Sequence, residues 1–423
     1  MTNIPIDIPL SLPAPDGVLK ALLVITFIVH ILFVGLMVGG AYWSVIFKLL
    51  GKEDPFYERL AREILDTVTI NKSLAVVLGV APLLLIGLTY TGYWYTANMM
   101  TVPAFLSIIW LVIFAFLFLY AYKYTWDSLG DRAPFLHLSF GLSACAIFAF
   151  VPLIFLANIN LMLLPFRWDA TKGFIQALLL PNVLFRYMHF FVAVFAIIGF
   201  FAAIYFWCRG RKSDDLFYMR SQKLGLKWAL GGTLLQSIFG TLNFISLPQG
   251  AYSRTLLIHI AAALALAAVA CIALVRALLT TSGKPIVAAV ALLGVVALLM
   301  SFVRHTVREN LLREPRMVAN QRTLEYQTSL ATFLKTYTPE SGKLLSGEDL
   351  FKRYCTSCHA RDRLLLGPST QYMVQKYKGK KEDMAAFVLN PKKVNPDLPS
   401  MPKPPIGQYE IEEIVEYILG GSR

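Results

Sequence analysis

Apolar runs long enough to cross about 30 Å of hydrocarbon begin near Val18, Leu74, Pro103, Phe135, Asn182, Leu226, Ser253 and Pro285. Polar gaps separate them, so the pattern predicts an all-α membrane protein with eight transmembrane helices over residues 18–303. The gap "RGRKSDDLFYMRSQKLGLK", Arg209 to Lys227, divides the runs into five and three. Two side-by-side four-helix bundles are compatible with that division, although no sequence repeat stands out to establish them. At Arg304 the pattern changes, and "VRENLLREPRMVANQRTLEYQTSLATFLKTY" reads as a polar, helical connector over residues 304–345. Residues 346–423 then read as a separate small all-α domain.

The first 17 residues, "MTNIPIDIPLSLPAPDG", lack the basic start of a signal peptide and precede an apolar run too long for one. They read as a retained tail outside the membrane, either contacting a partner or lying on the surface.

Charge orients the helices. One set of alternate gaps holds Lys48, Lys52, Arg59, Arg62 and Lys72, then Lys123 and Arg132, then six basic residues between Arg209 and Lys227, then Arg276 and Lys284. The other holds only Arg167, Lys172, Arg186 and Arg254. By the positive-inside rule the rich set is cytoplasmic, which puts both termini and the C-terminal domain on the periplasmic side of a bacterial-type inner membrane.

Composition agrees: 57% of the 423 residues are hydrophobic, 15% are charged, and the mean hydropathy is +0.59. The net charge of +13 does not point to nucleic acid, because the Lys and Arg cluster between apolar runs and form no basic stripe interleaved with aromatics. Of five cysteines, Cys145, Cys208 and Cys271 stand alone in apolar segments, where a thiol behaves as a small hydrophobe.

The remaining two lie in Cys355-Thr356-Ser357-Cys358-His359, the attachment signature of one covalent haem c, with two thiols for the vinyl groups and His359 as an axial ligand. A zinc site would need a second ligand pair, and no further His or Cys follows. Over Ser346 to Gly421 the tail resembles class I cytochrome c. "GEDLFKRYCTSCH" is similar to the first helix and haem site, "LGP" to the turn supporting the proximal His, "SMPKPP" to the distal-ligand loop and "YEIEEIVEYILGG" to the last helix. The resemblance implies Met401 as sixth ligand; Met373 and Met384 compete for that role or fill the core.

Five histidines fall in or beside apolar runs, where an ionisable group is costly. His189 in helix five and His259 in helix seven both lie on the order of 10 Å below the outer surface at 1.5 Å per residue. Such a pair can clamp a non-covalent haem b, with Arg186 and Arg254 nearer the surface for its propionates, or each can be a separate structural residue. His30 lies deeper and suits a further haem, a quinone pocket or a structural role, whereas His137 and His305 sit near the two interfaces.

The stretches "VITFIVHILFVGLMVGG", "TINKSLAVVLGVAPLLLIGLTYTG", "WDSLG", "FVPLIFLANINLM" and "FRYMHFFVAVFAIIGFF" resemble subunit I of cytochrome bd quinol oxidases. That resemblance implies His30 as a haem ligand of helix one and His189 as an axial ligand of a low-spin haem b. The family's partner for His189 is a Met, so His259 would be a substitution. Helix three, "PAFLSIIWLVIFAFLFLYAY", lacks the family's glutamates, and its long quinol-binding loop shrinks to "SLPQGAYS".

The sequence therefore reads as an oxidoreductase component, a respiratory electron-transfer subunit. Electrons pass between a quinone pool or partner subunit, one or two haems b in the membrane, and the tethered haem c, which serves a soluble extracytoplasmic carrier. A bd-type terminal oxidase subunit with a fused cytochrome c is one alternative. A membrane anchor displaying a cytochrome c for a peripheral oxidoreductase is another.

Overall fold

The computed structural model describes residues 12–70, 72–211, 215–280, 283–336, 345–396 and 398–420. Most of the N-terminal tail (1–11), Lys212 and the connector's end (337–344) lie outside the described residues, as do the side chains of residues 70–76 and 333–344. By internal contacts the chain forms two compact units, residues 1–325 and 326–423.

Among the described residues every regular element is a helix. This is the expected outcome for a chain rich in long apolar runs, because a helix satisfies its own backbone hydrogen bonds where no water is available. α1 (Asp16–Leu50) packs along α2 (Pro55–Ile70) and α3 (Lys72–Thr89). At Tyr90 the chain turns by 110° into the short α4 (Thr91–Met100), and α5 (Val102–Tyr124) follows. α6 (Trp126–Leu129) makes a corner before α7 (Pro134–Leu163), which packs on α5 and α1. After α8 (Phe174–Leu178), α9 (Val183–Gly210) packs against α1, α7 and α10 (Leu216–Ile245), and α10 packs on α11 (Arg254–Leu279). α12 (Lys284–Thr336) is 53 residues long.

A helix therefore occupies each of the eight predicted places, but among the described residues six are long and apolar enough to cross a membrane, or seven if the bent pair Val77–Thr89 and Thr91–Met100 is one span. The count of eight spans is thus not confirmed, since α10 falls outside that group. Its first half carries Arg220, Lys223 and Lys227, and its second half Gln236 and Asn243.

The basic residues of the rich gaps gather at one end of the first unit, where many are paired. Lys48 meets Glu58, Arg62 holds Asp127 with two bonds of 2.6 and 2.7 Å, and Lys123 reaches Asp66 at 3.0 Å. The Arg62 guanidinium holds the Asp127 carboxyl below its ordinary value. The "WDSLG" stretch is this corner: Trp126 is buried, with the Lys48 ammonium 4.5 Å above its ring.

The sequence division at residue 304 does not interrupt α12. Val307, Leu311, Leu312 and Ala319 are buried in one cluster with Tyr90, Trp94, Leu163, Trp168 and Leu256, and Arg308 is buried as well. The polar residues that depress the hydropathy here find partners inside the unit. Glu309 accepts from the Tyr90 hydroxyl (2.6 Å), Arg316 (2.7 Å) and Lys20 (3.2 Å), and Asn310 donates to the Ala251 carbonyl at 2.8 Å.

In the second unit α13 (Gly347–Tyr354), α14 (Thr370–Tyr377), α15 (Lys381–Leu389) and α16 (Gln408–Gly420) enclose a small core of Leu350, Phe351, Met373, Met384, Ile411, Ile414, Val415 and Ile418. Ser346 and Ser369 cap α13 and α14 by accepting from the backbone N–H of Asp349 and Tyr372.

Candidate haem sites

In the second unit, α13 delivers Cys355, Cys358 and His359 in one turn. The Cys358 and His359 N–H groups both donate to the Cys355 carbonyl, at 3.1 and 3.0 Å. Both thiols are free, and burial pushes the Cys355 thiol up to about 11. His359 is 8% exposed, and its Nδ1 lies 2.8 Å from the Pro368 carbonyl. A carbonyl only accepts, so Nδ1 carries the proton and Nε2 presents a bare lone pair, the form in which imidazole ligates a metal. Gly367 closes against the ring: a Cβ there would stand 2.3 Å from His359 Cε1. The "LGP" turn thus orients the His359 ring, and the residues present fit a covalent haem. Met373 and Met384 are buried among core side chains, at 9% and 3% exposure, whereas Met401 is half-buried in the coil before α16.

In the first unit the predicted residues divide. His189 on α9 lies against Gly240 of α10, where a Cβ would stand 3.2 Å from its Cε1. Its Nδ1 is buried without a hydrogen-bond partner, and its carbonyl accepts from Gln236 at 2.9 Å. His30 on α1 lies against Gly79 of α3, at 2.8 Å from a Cβ there. His259 does not share the surroundings of His189. Its Nδ1 donates to the Thr255 carbonyl at 2.7 Å, and its ring tilts against Phe302 of α12, with α10 packed between α9 and α11.

Arg186 and Arg254 also separate. Arg254 is exposed at the start of α11. Arg186 donates to Asn160 Oδ1 at 3.0 Å and lies within electrostatic reach of Arg304 and Arg308. Arg304 lies over the Phe27 ring at 3.7 Å, and Arg308 over the Tyr90 ring at 4.9 Å. Arg308 is 5% exposed with a buried, unpartnered Nη1. Among the described residues none of these three arginines is ion-paired to a carboxylate, because the nearby Glu309 is already engaged by Lys20 and Arg316. Like charges gathered out of water are unfavourable without an anion, so the cluster fits the carboxylates of a haem edge. The sequence reading assigned Arg304 and Arg308 to the polar connector, because they sit where the hydropathy drops.

His137 belongs to the basic end: it is 1% exposed, stacked on Tyr122 at 4.5 Å, with Nδ1 3.0 Å from Thr125 Oγ1. His305 is half-buried on α12 beside the arginines.

No family model and no curated protein matches the chain. Among solved structures it superposes on a chain of the bd oxidase from Geobacillus thermodenitrificans, with a TM-score of 0.58. Over the matched residues the chain has the bd-oxidase fold. The match covers 76% of this chain and 96% of that one at 14% identity, so it is a likeness of fold. It agrees with the resemblance read from the first five helices, and with a multi-pass membrane protein.

Proposed function

We propose that this chain is a membrane-bound respiratory electron-transfer subunit, with haem b in its bd-oxidase-like unit and a covalent haem c in its C-terminal unit. The observation that carries the reading is the cluster of Arg186, Arg304 and Arg308. Among the described residues these cations, Arg308 buried and the other two half-buried, have no carboxylate partner, and Arg186 stands one helical turn from His189, whose Nδ1 is also unpartnered.

A bound haem supplies a one-electron carrier. His189 would hold the iron of the membrane haem, with Arg186 and Arg308 binding its propionates. Asn160 orients Arg186, and Gly240 leaves room for the imidazole. In the second unit Cys355 and Cys358 would form the thioether links, and His359 and Met401 would hold the iron. His359 is kept in its ligating tautomer by Pro368. With the iron held by two protein side chains, this unit would carry electrons and do no bond chemistry. The exchange partners of this reading are a quinone pool or a partner subunit on one side and a soluble carrier outside the cytoplasm on the other.

The test is the pyridine haemochrome spectrum of the purified chain, followed by addition of a reduced quinone analogue. Both b and c signals, with reduction of haem c that is lost in His189→Ala, are expected. A c signal alone after mild purification would make the first unit an anchor and overturn the reading.

A further inference from the structure

The segment that opens α2, Asp54-Pro-Phe-Tyr-Glu-Arg59, and the one that opens α10, Asp215-Leu-Phe-Tyr-Met-Arg220, share Asp, Phe, Tyr and Arg at a shift of 161 positions. In the fold the two segments exchange equivalent contacts. Arg59 binds Asp215 at 2.7 Å and Arg220 binds Asp54 at 2.6 Å. Arg59 lies 3.9 Å over the Phe217 ring, Arg220 lies 3.9 Å over the Phe56 ring, and the two Phe rings meet at 5.6 Å. Each Asp also caps its own helix start, accepting from the N–H two residues on at 2.9 and 2.8 Å. Reciprocal pairing of this kind is the mark of a two-fold relation.

The relation continues along the preceding helices, α1 and α9, at a shift of 159. Gly39 packs on Ile198, its own counterpart, while Gly40 packs on Val68 and its counterpart Gly199 packs on Ala229, the counterpart of Val68. The same shifts turn His30 into His189 and Gly79 into Gly240, so each imidazole lies against a glycine at the matching position of its own half, on α3 and on α10. They also turn Phe27 into Arg186, one of many positions at which the halves differ in sequence. Both halves nevertheless have a cation there, because the Arg304 guanidinium lies over the Phe27 ring.

We infer that the first unit is an internal duplication carrying two haem positions of one design, and that Arg304 gives the His30 position the cation that Arg186 gives the His189 position. The ligand class is an iron porphyrin with a carboxylate edge. One arginine comes from the ligand's own helix and the other from α12. The inference rests on His189 being a haem b ligand, and it adds the equivalence of His30 and the pairing of each arginine with one histidine.

The full-length protein tests it by haem stoichiometry and potentiometric titration. Two non-covalent haems per covalent haem are expected, resolved as two components, with His30→Ala removing one and His189→Ala the other. Arg304→Gln should lower the midpoint potential of the His30 component alone and Arg186→Gln that of the His189 component alone, with Arg→Lys restoring part of each shift. A merely structural arginine would change stability but move neither potential selectively. If both arginine variants shift the same component, or one haem b is found and His30→Ala keeps it, the inference fails while the relay reading stands. Absence of haem b overturns both.

Discussion

The Tyr90 hydroxyl donates a 2.6 Å hydrogen bond to the Glu309 carboxylate across 219 residues of sequence. It joins the elbow between α3 and α4 to the part of α12 that the sequence alone assigns to a polar connector. Lys20 and Arg316 complete the coordination of the carboxylate, so this single anion holds α1, the elbow and α12 together.

Glu309→Gln removes the charge that Lys20 and Arg316 are paired to, and Tyr90→Phe removes one hydrogen bond to a charged group. Each change should destabilise the first unit by about 1.5–3 kcal/mol, read as a lower Tm in detergent. An unchanged Tm in both would show that the elbow does not depend on this contact.

The reciprocal Asp–Arg pairs at the basic end should depend on pH in a fixed direction. Asp54 is held below the ordinary value of 3.8, first by the Phe56 N–H and then by Arg220, and Asp215 likewise by the Phe217 N–H and Arg59. A carboxyl whose pKa is lowered on folding stabilises the fold above its unfolded value. The contribution is therefore complete at neutral pH and is lost as pH falls below 3.8. Acidification through that range should cost wild type more Tm than it costs the Asp54→Asn, Asp215→Asn double variant. Arg59→Asp alone should lower the Tm at pH 7, and Asp215→Arg added to it should recover part of the loss.

Gly367→Ala would place a methyl group 2.3 Å from His359 Cε1. Either the ring turns away from its Pro368 bond or the turn opens, so the variant should lose attached haem c, seen as missing haem stain on a denaturing gel. Full, spectrally normal attachment would show that the turn does not orient the ligand.

Met401→Ala should lower the midpoint potential of haem c, because a thioether ligand raises it. Met384→Leu, a volume-conserving change in the core, should cost less than about 1.5 kcal/mol and leave the potential in place. Potentiometric titration separates the two; the reverse pattern would move the sixth ligand to Met384.

Gly240→Ala and Gly79→Ala probe the two imidazole pockets, with contacts of 3.2 and 2.8 Å for the added methyl. Each should perturb the spectrum of its own haem b component. Gly231→Ala, whose Cβ meets nothing within 4 Å, should leave the spectrum unchanged.

The sequence by itself determined the elements and the chemistry that is local in the chain. Eight apolar runs predict helices that form, because a helix in hydrocarbon depends only on its own backbone bonds and on the length of the run. Cys355, Cys358, His359 and the "LGP" turn fall within fourteen consecutive residues, so their association is written in one dimension. The tertiary structure decided what depends on distant pairing. Arg308, Glu309 and Asn310 read as a solvated connector because hydropathy counts a polar side chain without knowing its partners, and Tyr90, Lys20 and Ala251 turn that segment into core. His259 matches His189 in depth, but depth along a helix does not fix azimuth, and α10 packs between the helices that carry them. The repeat Asp-x-Phe-Tyr-x-Arg is too short to stand out among 423 residues. It becomes evident when each arginine is found on the other copy's aspartate, because only the fold tells which of many short coincidences face one another.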